Sequence, residues 1–462
     1  MSTQKNTSSL AAPDFSFFNQ MYIHSTVLLR RFIRTLTTLS THLGASISAA
    51  SADNAERQGI GRLLNNPALS EENVMDCYRK ETLRQMNESG QNVFLCVQDT
   101  TGVSYGNREK TVGLGEYNDS KAKGLLTHTA LLLTPSGLPL GLLYQKTWAR
   151  EPKPKGQRKV SRPYEEKENY RWTEAAQVSA AAVPAHMKLI HIGDREADYF
   201  EFLHLLQKEG QSYVVRSVQN RITEGEGARL WDKVRAQPAA GEICVSLPRD
   251  TRRGTPARET TLAVRFTSDT VQVPAHLQQK GAGYPPLSCT LIHVVEVTPL
   301  ADQAPIEWFL LTNVPTPNAE AAAEKVGWYV QRWKIERFHY ILKSGCEVEK
   351  LQEQHANKLK KLILIYSIIA VQIQHLTYLA RQQPDAPYTK VMSEEEWQVL
   401  YRIAYKTTML PKSPANVREV VLALAKLGGF LGRKSDGDPG AKVIWKGLQA
   451  FRTVFESYSF LL

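Results

Sequence analysis

Tyr329-Val330-Gln331-Arg332-Trp333-Lys334-Ile335-Glu336-Arg337-Phe338-His339-Tyr340-Ile341-Leu342-Lys343 contains neither glycine nor proline and reads as one continuous helix. At about 3.6 residues per turn, Tyr329, Arg332, Glu336 and Lys343 fall at i, i+3, i+7 and i+14 and share one face. That face carries a phenol, two cations and a carboxylate. Ile335, Phe338, Ile341 and Leu342 form the apolar stripe that docks the helix onto a core. Alone, such a row reads as a solvated ion-pair face. Two stretches upstream change that reading.

Both are short apolar runs of strand length. Val93-Phe94-Leu95-Cys96-Val97 is terminated by Gln98-Asp99-Thr100-Thr101, and Lys188-Leu189-Ile190-His191-Ile192-Gly193 ends at Asp194-Arg195-Glu196-Ala197-Asp198. In open α/β sheets, sites form at the carboxyl ends of strands. A single aspartate there is ordinarily a cap or turn residue. Two of them in one core, with an inward glutamate on a helix, form a narrower pattern. Three converging carboxylates repel one another unless a divalent cation neutralises them, and hard oxygen ligands of this kind suit Mg²⁺ or Mn²⁺.

Working outward, the 462 residues are enough for about three domains. Fifty-seven Lys+Arg against 46 Asp+Glu leave a net charge of +11, which favours a polyanionic partner. Cys77, Cys96, Cys244, Cys289 and Cys346 are scattered and form no CxxC pair, so disulfide scaffolding and structural zinc are not expected. No run of about 18 apolar residues stands out, and the polar start MSTQKNTSS is unlike a signal peptide; the expectation is a soluble, cytosolic chain without a membrane partner.

The periodicity divides the chain into an α/β core between helical ends. A helical pattern over 14–45, a helix Asn54–Leu64 stopped by Asn65-Asn66-Pro67, and Arg30, Arg31, Arg34, Arg57 and Arg62 make residues 1–70 a small basic helical domain. Residues 71–372 hold the core. A helix over 71–87 is followed by strands near 93–97, 127–133, 138–145, 188–193, 213–216 and 308–312, with helices over 168–182, 197–208 and 319–345. Arg150–Lys167 reads as a mobile basic loop, and 218–305 as an all-β insertion. Residues 373–462, beyond the apolar helix Leu362–Leu379 and a linker with Pro384 and Pro387, are again helical.

Strand–Asp99, strand–Asp194 and a helix bearing Tyr329, Arg332, Glu336 and Lys343 resemble, in that order, the DDE transposases of bacterial insertion-sequence family four. Asp99-Thr100-Thr101, Val214-Val215-Arg216, Trp308-Phe309-Leu310-Leu311-Thr312, Leu427-Gly428-Gly429-Phe430 and residues 438–447 fall in family order, so the resemblance spans about residues 60–450. It implies an RNase H-like catalytic core interrupted by a β insertion, an N-terminal DNA-binding domain and a C-terminal dimerisation domain. The implied activity is cut-and-paste transposition: a freed 3′-hydroxyl, a hairpin on the transposon end, then strand transfer into target DNA. Asp99, Asp194 and Glu336 would be the catalytic residues and would ligate two Mg²⁺, with Mn²⁺ substituting. Tyr329, Arg332 and Lys343 would contact backbone phosphates, Trp308 would stack on a flipped base, and Trp333 and Arg216 would lie beside the site. Arg195 and His339 are further DNA-binding candidates, Arg62 holds the place of an end-recognising arginine, and Arg30 and Arg34 belong to the basic N-terminal face. The partners would be double-stranded DNA, both inverted-repeat ends and target, and a second copy of the chain in a synaptic homodimer, in bacterial cytoplasm and on the nucleoid. Two features depart from the family. The Gly-Asp-x-Arg element is replaced by Phe18-Asn19-Gln20-Met21-Tyr22, and Tyr340 stands where a lysine is common. The rival readings are a cleavage-inactive DNA-binding inhibitor or domesticated derivative, and a plain nuclease.

Overall fold

Side-chain caps open the first helices. Ser25, Ser46, Asp53 and Ser70 accept from backbone amides at the starts of α1 (Thr26–Thr41), α2 (Ile47–Ala50), α3 (Asn54–Asn65) and α4 (Glu71–Glu88). Each satisfies a donor that a helix start leaves without a partner. The computed structural model describes residues 9–10, 14–23, 25–117, 122–151, 163–225, 227–247, 254–279, 283–301, 303–411, 413, 415–433 and 436–459. Most of the basic loop expected over Arg150–Lys167, residues 152–162, lies outside them, as do residues 1–8 of the polar start.

Ten strands then form one mixed sheet. They are β1 (Val93–Ser104), β2 (Gly115–Glu116), β3 (Lys123–Leu133), β4 (Pro139–Trp148), β5 (Lys188–Gly193), β6 (Ser212–Arg216), β7 (Gly241–Leu247), β8 (Arg258–Val271), β9 (Leu287–Glu296) and β10 (Glu307–Thr312). Helices α5 (Tyr170–Ala182), α6 (Phe200–Lys208), α7 (Leu230–Arg235) and α8 (Ala275–Gln278) lie between them in the chain. The order is β2-β3-β1-β5-β6-β10-β9-β8-β7, with β4 also on β3. β1 pairs antiparallel with β3 and parallel with β5, and β5 runs parallel with β6. Successive residues serve opposite faces: Tyr213, Val215, Phe309 and Leu311 join one hydrophobic cluster, Val214, Trp308 and Leu310 the other.

Three expectations change here. Asp99 does not end its strand; β1 continues to Ser104 because β3 keeps pairing with it after β5 has stopped. The 218–305 segment is not all-β, since α7 and α8 lie within it, and it is no separate module. β9 pairs with β10, so β7–β9 extend the core sheet. Nor do residues 1–70 have a core of their own: Phe32, Leu36, Ile60 and Leu63 join the cluster that contains Leu95, Leu364 and Phe451.

The helix expected over 319–345 is three pieces: α9 (Ala319–Val330), α10 (Trp333–Tyr340) and a π-helical turn, Ile341–Gly345. At the first break the backbone tightens, Arg332 N bonding to Tyr329 O and Lys334 N to Gln331 O, both at 2.9 Å. Such i→i+3 winding nearly eclipses residues three apart, which brings Arg332 over Tyr329. Nothing in the sequence marks the break, because it needs neither glycine nor proline.

α11 (Ala356–Gln382), α12 (Glu394–Tyr405), α13 (Val417–Leu427) and α14 (Ala441–Ser459) complete the chain, and the boundary expected at 372/373 falls inside α11. Contrary to the sequence expectation, α11 is long and apolar enough to cross a membrane, at a mean hydropathy of 1.6. Of that window 83% is buried within the protein, the packing of a central core helix.

Candidate active site

Backbone pairing between β1 and β5 stops at Val97↔Ile192. Asp99 lies two residues beyond it and Asp194 directly follows β5, so both stand where these parallel strands part. Gly193 permits the tight exit: a Cβ there would meet that of Ala197 at 2.5 Å, with the Trp172 ring at 3.3 Å. Asp194 Oδ1 accepts from the Glu196 amide and Asp99 Oδ1 from the Thr100 amide, both at 2.8 Å.

Glu336, on α10, is near enough for its charge to be felt at Asp99. The Asp99 carboxyl is pushed up to about 7, first by burial, then by the Asp194 charge, with Glu336 adding; Arg332 and the Thr100 amide oppose the shift without offsetting it. Arg332 is 7% exposed, donates from Nη2 to Glu336 Oε1 at 2.8 Å, and lies over the rings of Trp333 (4.8 Å) and Tyr329 (5.9 Å). Among the described residues, no three Asp, Glu, His or Cys side chains are gathered closely enough to hold an ion as they stand. The Arg332–Glu336 pairing gives a local reason, because it occupies the third carboxylate.

Most of the remaining expected residues surround this group. Arg216, at the end of β6, interacts with the buried Tyr329 phenol and feels the charges of Arg195 and Arg332. Arg195 is exposed in the turn after Asp194, and Trp333 is half-buried. Lys343 sits in the π turn, its ammonium disfavoured by burial while Glu349 and Asp99 favour it. His339 Nδ1 lies 3.8 Å from Asp99 Oδ2. Burial, with Lys343 adding, pushes that imidazole down to about 3, so at neutral pH the contact involves an uncharged ring.

Trp308 departs from its expected role. It is only 5% exposed, packed edge-on against Tyr329 with centroids 5.4 Å apart, and belongs to the core cluster. Its strand faces inward at that register, so its ring face is not open to a base as it stands. Arg30, Arg34 and Arg62 belong to a different surface, exposed on α1 and α3, where Arg34 pairs with Glu56 at 3.0 Å. The departure at Tyr340 also has a local partner: its ring lies 5.8 Å from Trp445 of α14.

Sequence reasoning missed a polar layer beneath the acids. Arg171 on α5 donates from Nε to Thr100 Oγ1 at 2.8 Å and from Nη2 to Glu196 Oε2 at 2.6 Å. Thr100 Oγ1 lies 2.8 Å from His128 Nδ1, and Gln98 links His128 to His191 at 3.2 Å on each side. Gln98, His128 and His191, polar residues inside apolar strand runs, were the available signal.

Comparison with protein families reaches the C-terminal helices. Residues 368–460 match the family model of the transposase Tn5 dimerisation domain. These C-terminal helices are therefore similar to a transposase dimerisation domain. The match supports a Tn5-like transposase that forms homodimers, and insertion-sequence family four is compatible with it. The matched region begins within α11, the helix packed beneath α10 and β4, so it is continuous with the scaffold of the carboxylate site.

Proposed function

We propose that this chain is a transposase with an RNase H-like core, which uses DDE chemistry to cut DNA at the ends of a mobile element and join the 3′ ends to target DNA. What supports this reading is that the Asp99 carboxyl feels the charges of both Asp194, just after the adjacent parallel strand, and Glu336, on α10. The pattern β4-β3-β1-β5-β6, antiparallel on one side of β1 and parallel on the other, supports the core assignment. The dimerisation-domain match favours a transposase over a plain nuclease.

The donor set fits a hard divalent cation: all three ligands are carboxylates, and the Arg332 charge does not balance the burial of Asp99. Asp99, Asp194 and Glu336 would hold two Mg²⁺, with Mn²⁺ substituting, and the bound ions would supply Lewis acidity for an in-line phosphoryl displacement. Glu336 must leave Arg332 to take part, and a DNA phosphate offers Arg332 a bidentate replacement. Lys343, Arg216 and Arg195 present further cations to the backbone of the cut strand. His339, buried and 3.8 Å from Asp99 Oδ2, excludes water from the Asp99 side. A hairpin route that stacks a flipped base on Trp308 requires Tyr329 to move off that ring. Arg30, Arg34 and Arg62 would grip the inverted repeat, and two copies would pair the ends in the bacterial cytoplasm, on the nucleoid.

The test is cleavage of a labelled duplex ending in the element's own inverted repeat, with Mg²⁺, on a denaturing gel. Asp99→Ala and Glu336→Ala should each lose about 10³-fold or more in cutting, several kcal/mol of transition-state stabilisation, while retaining the gel shift. A hairpin band would support the Trp308 route, and nicks alone would remove it. Wild-type binding without any cutting would make the chain a DNA-binding inhibitor.

A further inference from the structure

We propose that Arg171 is a positioning residue, a clasp that ties the strand carrying Asp99 to the turn carrying Asp194 and so sets the separation of the two aspartates. The inference rests on reading those aspartates as metal-holding residues.

Backbone pairing cannot fix that separation, because β1 and β5 part after Val97↔Ile192. Arg171 spans the gap from the first turn of α5, its side chain 12% exposed. Its Nε grips Thr100 Oγ1 at 2.8 Å and its Nη2 grips Glu196 Oε2 at 2.6 Å, while Nη1 donates to Glu168 O at 2.8 Å. The two gripped residues are those whose backbone amides hold the aspartates, Thr100 N on Asp99 Oδ1 and Glu196 N on Asp194 Oδ1. One planar guanidinium therefore reaches each carboxylate through one intervening residue, and its rigid fork fixes both distances together.

A second tie lies one layer deeper. Burial keeps His128 uncharged, so it carries a single N–H. With Gln98 Oε1 accepting at His128 Nε2, Nδ1 is left to accept from the Thr100 hydroxyl, whose lone pair takes the Arg171 N–H. Gln98 of β1 then donates from Nε2 to Nδ1 of His191 on β5. The Arg171–Thr100 contact thus continues through a buried chain that crosses back to β5. Charge alone does not explain the arrangement: a lysine would keep the charge but could not span both acceptors.

The experiment measures Mn²⁺ binding to the full-length chain without DNA by electron paramagnetic resonance, for wild type, Arg171→Ala, Arg171→Lys, Glu196→Ala and Asp99→Ala. Melting curves and gel shifts on the inverted repeat are recorded alongside. Asp99→Ala should abolish binding. Arg171→Ala and Arg171→Lys should each weaken it by about 10- to 100-fold, with the gel shift unchanged. Glu196→Ala, at a side chain 59% exposed, should weaken it in the same direction by a smaller factor, and decides the matter if the Arg171 variants do not fold. Wild-type Mn²⁺ affinity in Arg171→Ala or in Glu196→Ala overturns the clasp, and so does restoration by Arg171→Lys, which would make the role one of charge. If wild type binds no Mn²⁺, the metal-holding reading of the aspartates falls, and the clasp with it.

Discussion

Two groups of carboxylates in this molecule have opposite charge balance. Asp198, in the turn just after Asp194, and Glu296, at the end of β9, each have their own arginine. Asp198 pairs with Arg221 at 2.6 Å, with side chains 0% and 4% exposed, and also accepts from the Val218 and Gln219 amides. Glu296 is held by Arg258, Thr260 and the Ile306 amide, and the Arg258 hydrogen bond keeps its carboxyl down at about 2 despite burial. Where β1 and β5 part, Asp99 and Glu336 share Arg332, Asp194 adds its charge, and Asp99 is pushed up to about 7. Paired acids of the first kind build structure. Acids left short of positive charge are where a protein accepts a cation or does chemistry.

Breaking a balanced pair should cost most. Arg221→Ala leaves Asp198 charged, buried and short of its partner, so unfolding in urea should show a loss of about 3–5 kcal/mol. A loss under about 1 kcal/mol would remove the contrast. In the unbalanced region the sign reverses. In chelator, the raised Asp99 carboxyl makes the native state bind more protons than the unfolded chain between its ordinary value of 3.8 and about 7. Its cost is absent below that window and complete above it, so Asp99→Asn should stabilise at pH 8, by at most about 4 kcal/mol, and hardly at all near pH 4. Glu296 behaves oppositely: its contribution is present above the ordinary 4.5 and is lost as pH falls toward 2. Acid titration of stability in wild type, Asp99→Asn and Glu296→Gln separates the two; a pH-independent effect of Asp99→Asn would break the comparison. The smallest effect belongs to a balanced pair in water. Arg34→Ala, with its side chain 72% exposed beside Glu56, should change stability by less than about 0.5 kcal/mol. If Arg34 contacts a phosphate, the logarithmic salt dependence of DNA binding should fall by about one unit, and an unchanged slope would remove it from the interface.

Much of this was legible in sequence. Apolar runs of strand length located β1 and β5 and placed Asp99 and Asp194 near their ends, and the 329–343 stretch set Glu336 beside Arg332. What escaped is what local pattern does not encode. Asp99 lies inside a strand because β3, about 30 residues on, continues the pairing that β5 abandons. Helix periodicity is blind to a switch to i→i+3 and then π winding, so the eclipsing of Tyr329 and Arg332 could not be read. Trp308 looked apt for stacking, but alternation along β10 places it in the core with Leu310. Arg171 lies about 70 residues from Thr100 and 25 from Glu196, and no spacing rule joins them.

The most direct measurement is the melting temperature of the full-length chain at pH 8 in chelator and in millimolar Mg²⁺, for wild type and Asp99→Asn. An ion that binds only the folded state stabilises it by mass action. The expected result is a rise of several degrees in wild type and none in Asp99→Asn, whose melting temperature in chelator is already higher. Equal shifts in the two proteins, or no shift in wild type, would contradict the reading of Asp99 and its neighbouring carboxylates as a cation site.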